Sequence, residues 1–76
     1  MKEVEILREP VELYKILKFE GLVASGGEAK SVIAAGQVVV NGQAETRKRK
    51  KIVAGDVIVF GKNEIILRLK ADVSES

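Results

Sequence analysis

The sequence predicts a single α+β domain: two short helices in a helix-turn-helix-like pair, together with a small antiparallel sheet. Three observations predict it. Leu13, Ile16 and Leu17 recur at helical spacing, as do Ala29, Val32 and Ile33, and each run ends in a glycine, Gly21 or Gly36. The period then turns strand-like at Gln37–Val40 and meets Asn41-Gly42, a strong two-residue hairpin signal because both positions favour positive φ. Finally, a chain of 76 residues buries only about 60% of the surface its unfolded form exposes, which allows one small core.

In chain order, Glu3–Arg8 alternates, with Val4 and Ile6 opposite Glu3 and Glu5, and reads as a short strand at a sheet edge. Pro10 suits the first turn of the first helix, where a missing N–H costs nothing. Leu22 and Val23 connect to the second helix. Ser25 with Glu28 three residues on is the capping-box pattern that starts it. After the Asn41-Gly42 turn a partner strand is expected around Gln43–Thr46. A turn at Ala54-Gly55-Asp56 leads into Val57–Phe60, and a turn at Gly61-Lys62-Asn63 leads into a last strand, Glu64–Leu69. Residues 71–76 form a polar tail expected to be flexible. The domain is therefore 1–76, with its central motif at about 11–60.

Composition excludes several classes. With no cysteine and no histidine, disulfide staples, the usual zinc sites and the familiar nucleophile–base pairs cannot be assembled. The expectation is no metal, no cofactor and no catalysis. Glu28, Glu45 and Asp56, the carboxylates near the basic region, have ready structural roles as a cap, a hairpin charge partner and a turn residue. No apolar run approaches the roughly 18 residues of a membrane span. The charged start MKEVEILREP is unlike a secretory signal. These features point to a soluble cytoplasmic protein with no membrane partner.

Charge is unevenly placed. The net charge is +2, but residues 14–51 carry a balance of +5 and the flanks −3. Such a focused patch attracts polyanions more than the overall charge suggests. Its densest part is Arg47, Lys48, Arg49, Lys50 and Lys51, five basic residues in succession. If that run is extended, alternate side chains lie about 6–7 Å apart, comparable to successive phosphates. Arg47, Arg49 and Lys51 could then follow one nucleic-acid backbone. The other reading is a solvated loop or a different anionic partner. Gly26 and Gly27, in the first turn of the second helix, have two readings as well. They either bare backbone amides to an anion or make room for packing against the first helix. Lys30, one turn on and off the apolar stripe, is the better single phosphate candidate.

The pattern Ala29-x-x-x-Ile33-x-x-Gly36-x-Val38-x-Val40-Asn41-Gly42, followed by Gly55-Asp56-x-Ile58, resembles the S-four RNA-binding domain family, in particular its small stand-alone bacterial members. The resemblance spans about Val11 to Phe60. It implies two helices packed on a small, strongly bent sheet (the alpha-L motif), with RNA lying across the helix pair and the adjoining hairpin. Carried onto this chain, it makes Ser25, Lys30 and the Asn41-Gly42 turn contact candidates. Where many members begin the first helix with Arg-Leu-Asp, this chain has Glu12-Leu13-Tyr14; where many have arginine after the serine, it has Gly26. Those departures shift weight to Lys15, Lys18, Lys30 and the basic run. The function expected is non-catalytic binding of structured RNA, ribosomal or tRNA-like, by a ribosome-associated monomer. The rivals are a DNA-binding helix-turn-helix module and a protein–protein adaptor working through the edge strands.

Overall fold

Two strands at the ends of the chain form one side of the sheet. The computed structural model describes residues 1–70; the expectation for the tail at 71–76 lies outside them. Strand β1 (Lys2–Ile6) sits at the edge of a five-stranded sheet ordered β1-β7-β6-β3-β4, where β3 is Val38–Val40, β4 Gln43–Ala44, β6 Val57–Phe60 and β7 Asn63–Leu69. The expected alternation in β1 holds: Val4 and Ile6 are buried and Glu3 and Glu5 exposed. The sheet is antiparallel except at this edge, where β1 runs parallel to β7 with Val4 opposite Leu67. This corrects the wholly antiparallel expectation. Only a tight hairpin forces neighbouring strands to be antiparallel, and nearly the whole chain separates β1 from β7.

A second correction concerns Pro10. It does not open a helix, because Val11–Glu12 forms a short strand, β2, paired antiparallel with β5 (Lys51–Ile52), Val11 opposite Ile52 and Glu12 opposite Lys51. Helical spacing cannot reveal a pairing to residues forty positions away, and here that pairing takes the two residues before the helix. Helix α1 is therefore Leu13–Phe19, and α2 is Gly26–Ala34.

Both helices stop as the glycines predict. Gly21 and Gly36 take φ of 70° and 77°. The Gly21 and Leu22 amides donate to the Lys18 and Leu17 carbonyls, and the Gly36 and Gln37 amides to those of Ile33 and Val32. This is the Schellman arrangement at each end, satisfying carbonyls that the helix leaves without partners. Asn41 (φ 52°) and Gly42 (φ 86°) form the two-residue hairpin between β3 and β4.

The core lies between the helix pair and one sheet face. Leu13 and Leu17 of α1, Ile33 of α2, Val38, Ile52, Ile58, Ile65 and Leu67 are fully buried, and among the described residues no buried polar or charged residue accompanies them. It is aliphatic, as the scarcity of aromatics requires, and it fixes the angle at which α1 and α2 present their outer faces.

Candidate nucleic-acid interface

A helix exposes amide donors at its first turn that need acceptors. In α1, the preceding Glu12 supplies no side-chain cap. The acceptors come from the basic run: the Leu13 amide donates to the Lys50 carbonyl (2.9 Å) and the Tyr14 amide to the Lys48 carbonyl (3.1 Å). The run is thereby bonded to the helix by its backbone, with the side chains of Arg47, Lys48, Arg49 and Lys51 exposed and that of Lys50 half-buried. The Lys50 amide also donates to the Arg47 carbonyl at 3.1 Å, closing a turn. The expected extended ladder of Arg47, Arg49 and Lys51 is therefore not formed. Two constraints bend it: its carbonyls satisfy α1, and Lys51 is already paired in β5.

Tyr14 is the centre of the resulting surface. The Lys30 ammonium lies 4.8 Å from its ring centroid, and the Lys15 ammonium and Arg49 guanidinium each lie 6.0 Å away. Cations at these distances are attracted by the ring quadrupole. They come from α2, α1 and the basic turn respectively, so one half-buried ring gathers charge from elements far apart in sequence. Glu12 adds a carboxylate at the edge, 3.7 Å from Lys15 Nζ and 3.8 Å from Arg49 Nη1.

The start of α2 abuts the same ring. Ser25 Oγ accepts from the Glu28 amide (3.1 Å), and Glu28 Oε1 accepts from the Ala24 amide (2.7 Å), one residue earlier than a standard capping box would place it. Among the described residues the Gly26 and Gly27 amides donate to no protein acceptor. A Cβ at Gly26 would lie 4.0 Å from Tyr14 Cδ2, and one at Gly27 3.8 Å from Ser25 Oγ. Both are ordinary contacts, so packing within the chain does not require glycine at either position.

The remaining candidates are placed differently. Lys18 is exposed in the last turn of α1, favourable for a cation at the negative helix end. Arg47 is clamped by Glu45, its Nε 3.0 Å from Oε2 and its Nη2 3.3 Å from Oε1, while its amide also donates to Oε2. These bonds from Arg47, side chain first and amide second, hold the Glu45 carboxyl down to about 2 from its ordinary 4.5. Asn41 is bound to the start of β6, the strand beside β3: its Oδ1 accepts from the Val57 amide (2.9 Å) and its Nδ2 donates to Asp56 Oδ1 (3.0 Å). Asp56 Oδ2 in turn accepts from the Val53 amide at 3.0 Å. The Asn-Gly and Gly-Asp pieces of the sequence pattern are thus two halves of one latch.

The structure therefore brings together Lys15, Lys30 and Arg49, with Gly26 beside them and Lys48, Lys50 and Lys51 adjoining through the turn. Among the described residues Lys48, Lys50 and Lys51 form no ion pair with a carboxylate. Sequence reasoning missed Tyr14 and Glu12 as members of the site. Their only signal was to stand where the resembled family has Asp and Arg, and their contacts depend on the loop folding back.

A model of the S4 domain matches residues 4–68. The chain belongs to the S4 domain family. Among relatives of this S4 domain, the Escherichia coli "putative RNA-binding protein YbcJ" is 53% identical over 55 residues, covering 72% of this chain and 79% of the relative. The Bacillus subtilis "probable ribosome maturation protein RlbA" is 30% identical over 66 residues, covering 83% of this chain and 93% of its own. The solution structure of Escherichia coli YbcJ, described as revealing an αL motif involved in RNA binding, superposes with a TM-score of 0.69 at 45% identity. That match covers 90% of this chain and 87% of the other. The fold expected from the resemblance, helices on a small sheet in the alpha-L arrangement, is the fold observed. Among the described residues no helix is long and apolar enough to cross a membrane.

Proposed function

We propose that the chain is a non-catalytic RNA-binding protein that grips structured RNA by its phosphates, with ribosomal RNA or a ribosome-assembly intermediate as target. It would act as a cytoplasmic monomer. The observation that carries this reading is the convergence of Lys15, Lys30 and Arg49 on Tyr14 beside a solvent-facing basic turn. Such a composite cationic surface suits a folded phosphate backbone, whereas reading unpaired bases on an open sheet needs a row of exposed aromatics. The names of YbcJ and RlbA support RNA and the ribosome respectively. Duplex DNA is less well matched, because a recognition helix reads bases with side chains at its start. Here that start is Gly26-Gly27-Glu28, with Glu28 folded back onto the Ala24 amide. Crosslinking in cells followed by sequencing of bound RNA tests the proposal. Enrichment of ribosomal RNA is expected, and recovery of no RNA would refute it.

A further inference from the structure

Beside Tyr14 an open groove of about 570 Å³ is lined by Arg8, Glu12, Lys15, Arg49 and Lys51 over Pro10 and Val11. All but one of its charged side chains are cationic. The exception, Glu12, sits among them: Lys15 at 3.7 Å, Arg49 at 3.8 Å, and Lys51 directly opposite across the β2–β5 pair. Its backbone belongs to that pair and its side chain is mostly buried at 28% exposed, so the carboxylate sits at the groove wall between the two cations it pairs with. A carboxylate and a phosphate offer the same thing to a guanidinium or an ammonium, namely anionic oxygens that accept charge-assisted bonds.

We propose that this groove is a phosphate site for the RNA backbone and that Glu12 is its resident competitor, occupying Lys15 and Arg49 until RNA displaces it. The inference rests on the RNA-binding reading and adds to it an internal brake on affinity. Phosphate entering the groove must break two ion pairs and sit close to a like charge. Weak RNA is thereby rejected, while an RNA that also engages Lys30 and the basic turn offsets that cost. The brake is electrostatic and solvent-facing, so it weakens with salt along with the attraction it opposes.

The test is the affinity of the full chain for a fluorescein-labelled RNA stem-loop at rising salt, in wild type, E12Q, E64Q, and a Lys15→Gln, Arg49→Gln variant with and without E12Q. Glu64 lies on β7 outside the groove lining, and its replacement changes net charge equally. E12Q is expected to bind about 3–10-fold tighter at low salt, with the gain shrinking as salt rises and with thermal stability near that of wild type. E64Q should show no comparable gain, and the E12Q gain should vanish when Lys15 and Arg49 are removed. If wild type binds and E12Q binds no tighter, or E64Q gains as much, the brake is refuted while RNA binding stands. If neither wild type nor E12Q binds the stem-loop at low salt, the RNA reading falls and the brake with it.

Discussion

Exchanging the two partners of the Asn41–Asp56 latch gives a sharp test of what that part of the motif does. In Asn41→Asp, a carboxylate oxygen replaces the Nδ2 that donated to Asp56 Oδ1 at 3.0 Å, so two anions face each other. In Asp56→Asn, an amide donor faces the Asn41 donor. If Asn41 flips to avoid it, the Val57 amide loses the Oδ1 acceptor at 2.9 Å. Each single change removes a hydrogen bond to a charged group. That is worth about 1.5–3 kcal/mol in general, and about 1–2 kcal/mol here because Asn41 is exposed and Asp56 only half-buried. In the double exchange, the new amide at position 56 donates to the new carboxylate at position 41. That carboxylate still accepts from the Val57 amide, and the position-56 amide oxygen still accepts from the Val53 amide. The positive φ of 52° at position 41 remains with a residue type that tolerates it. The double variant should thus lie within about 0.5–1 kcal/mol of wild type, whereas independent effects would sum to about 2–4 kcal/mol. Thermal or urea unfolding reads this easily, since 1 kcal/mol moves the melting temperature of a domain this size by about 4–8 °C. Strictly additive losses would refute the latch. The double variant should also keep RNA affinity within about threefold, because net charge and fold are unchanged; a large selective loss would instead return Asn41 to the RNA contacts.

Two further outcomes follow from the site. Tyr14→Phe keeps the ring that gathers Lys15, Lys30 and Arg49 and should bind RNA like wild type, whereas Tyr14→Leu releases those cations and should weaken binding by about 2–5-fold, alongside a stability loss of about 0.5–1 kcal/mol from the cation–π contacts within the chain. Tyr14 is the chain's one tyrosine and there is no tryptophan, so RNA bound there should change tyrosine emission; unchanged emission on saturation would contradict the placement. Glu45 gives a pH prediction: its folded value near 2 lies below the ordinary 4.5, so its contribution is complete above about 4.5 and is lost as pH falls toward 2. A carbon-detected titration should find the Glu45 midpoint near 2 in wild type and return it to the ordinary range in Arg47→Gln, and a wild-type midpoint near 4.5 would sink the clamp.

Local signals were legible in the sequence and remote pairings were not. The glycine stops at Gly21 and Gly36, the Ser25 cap and the Asn41-Gly42 turn each depend on residues a few positions apart, and all appear where expected. The three carboxylates read as structural do what their positions suggested: Glu28 caps, Glu45 pairs with Arg47, and Asp56 closes a turn. What could not be read were partnerships made by the chain returning on itself. Val11–Glu12 meets Lys51–Ile52 and becomes strand, and β1 meets β7 in parallel. The basic run bends because α1 takes its carbonyls, a demand written in Glu12's failure to cap rather than in the run itself. The site shows the same division. Lys15, Lys30 and Arg49 were identifiable as candidates one by one, but the ring that unites them was not, since nothing local to Tyr14 announces Lys30 or Arg49.

The central claim is that cations from α1, α2 and the basic turn act as one phosphate-binding surface, and affinity for structured RNA as a function of salt tests it most directly. With about 4–6 phosphates engaged, the slope of log affinity against log salt should be roughly −3 to −5, a loss of about 60- to 1,000-fold over a fourfold rise in salt. Neutralising Lys48, Arg49, Lys50 and Lys51 to glutamine should flatten that slope by about 0.7–0.9 per contact removed. An RNA affinity that is indifferent to salt, or a slope unmoved by those substitutions, would contradict the account.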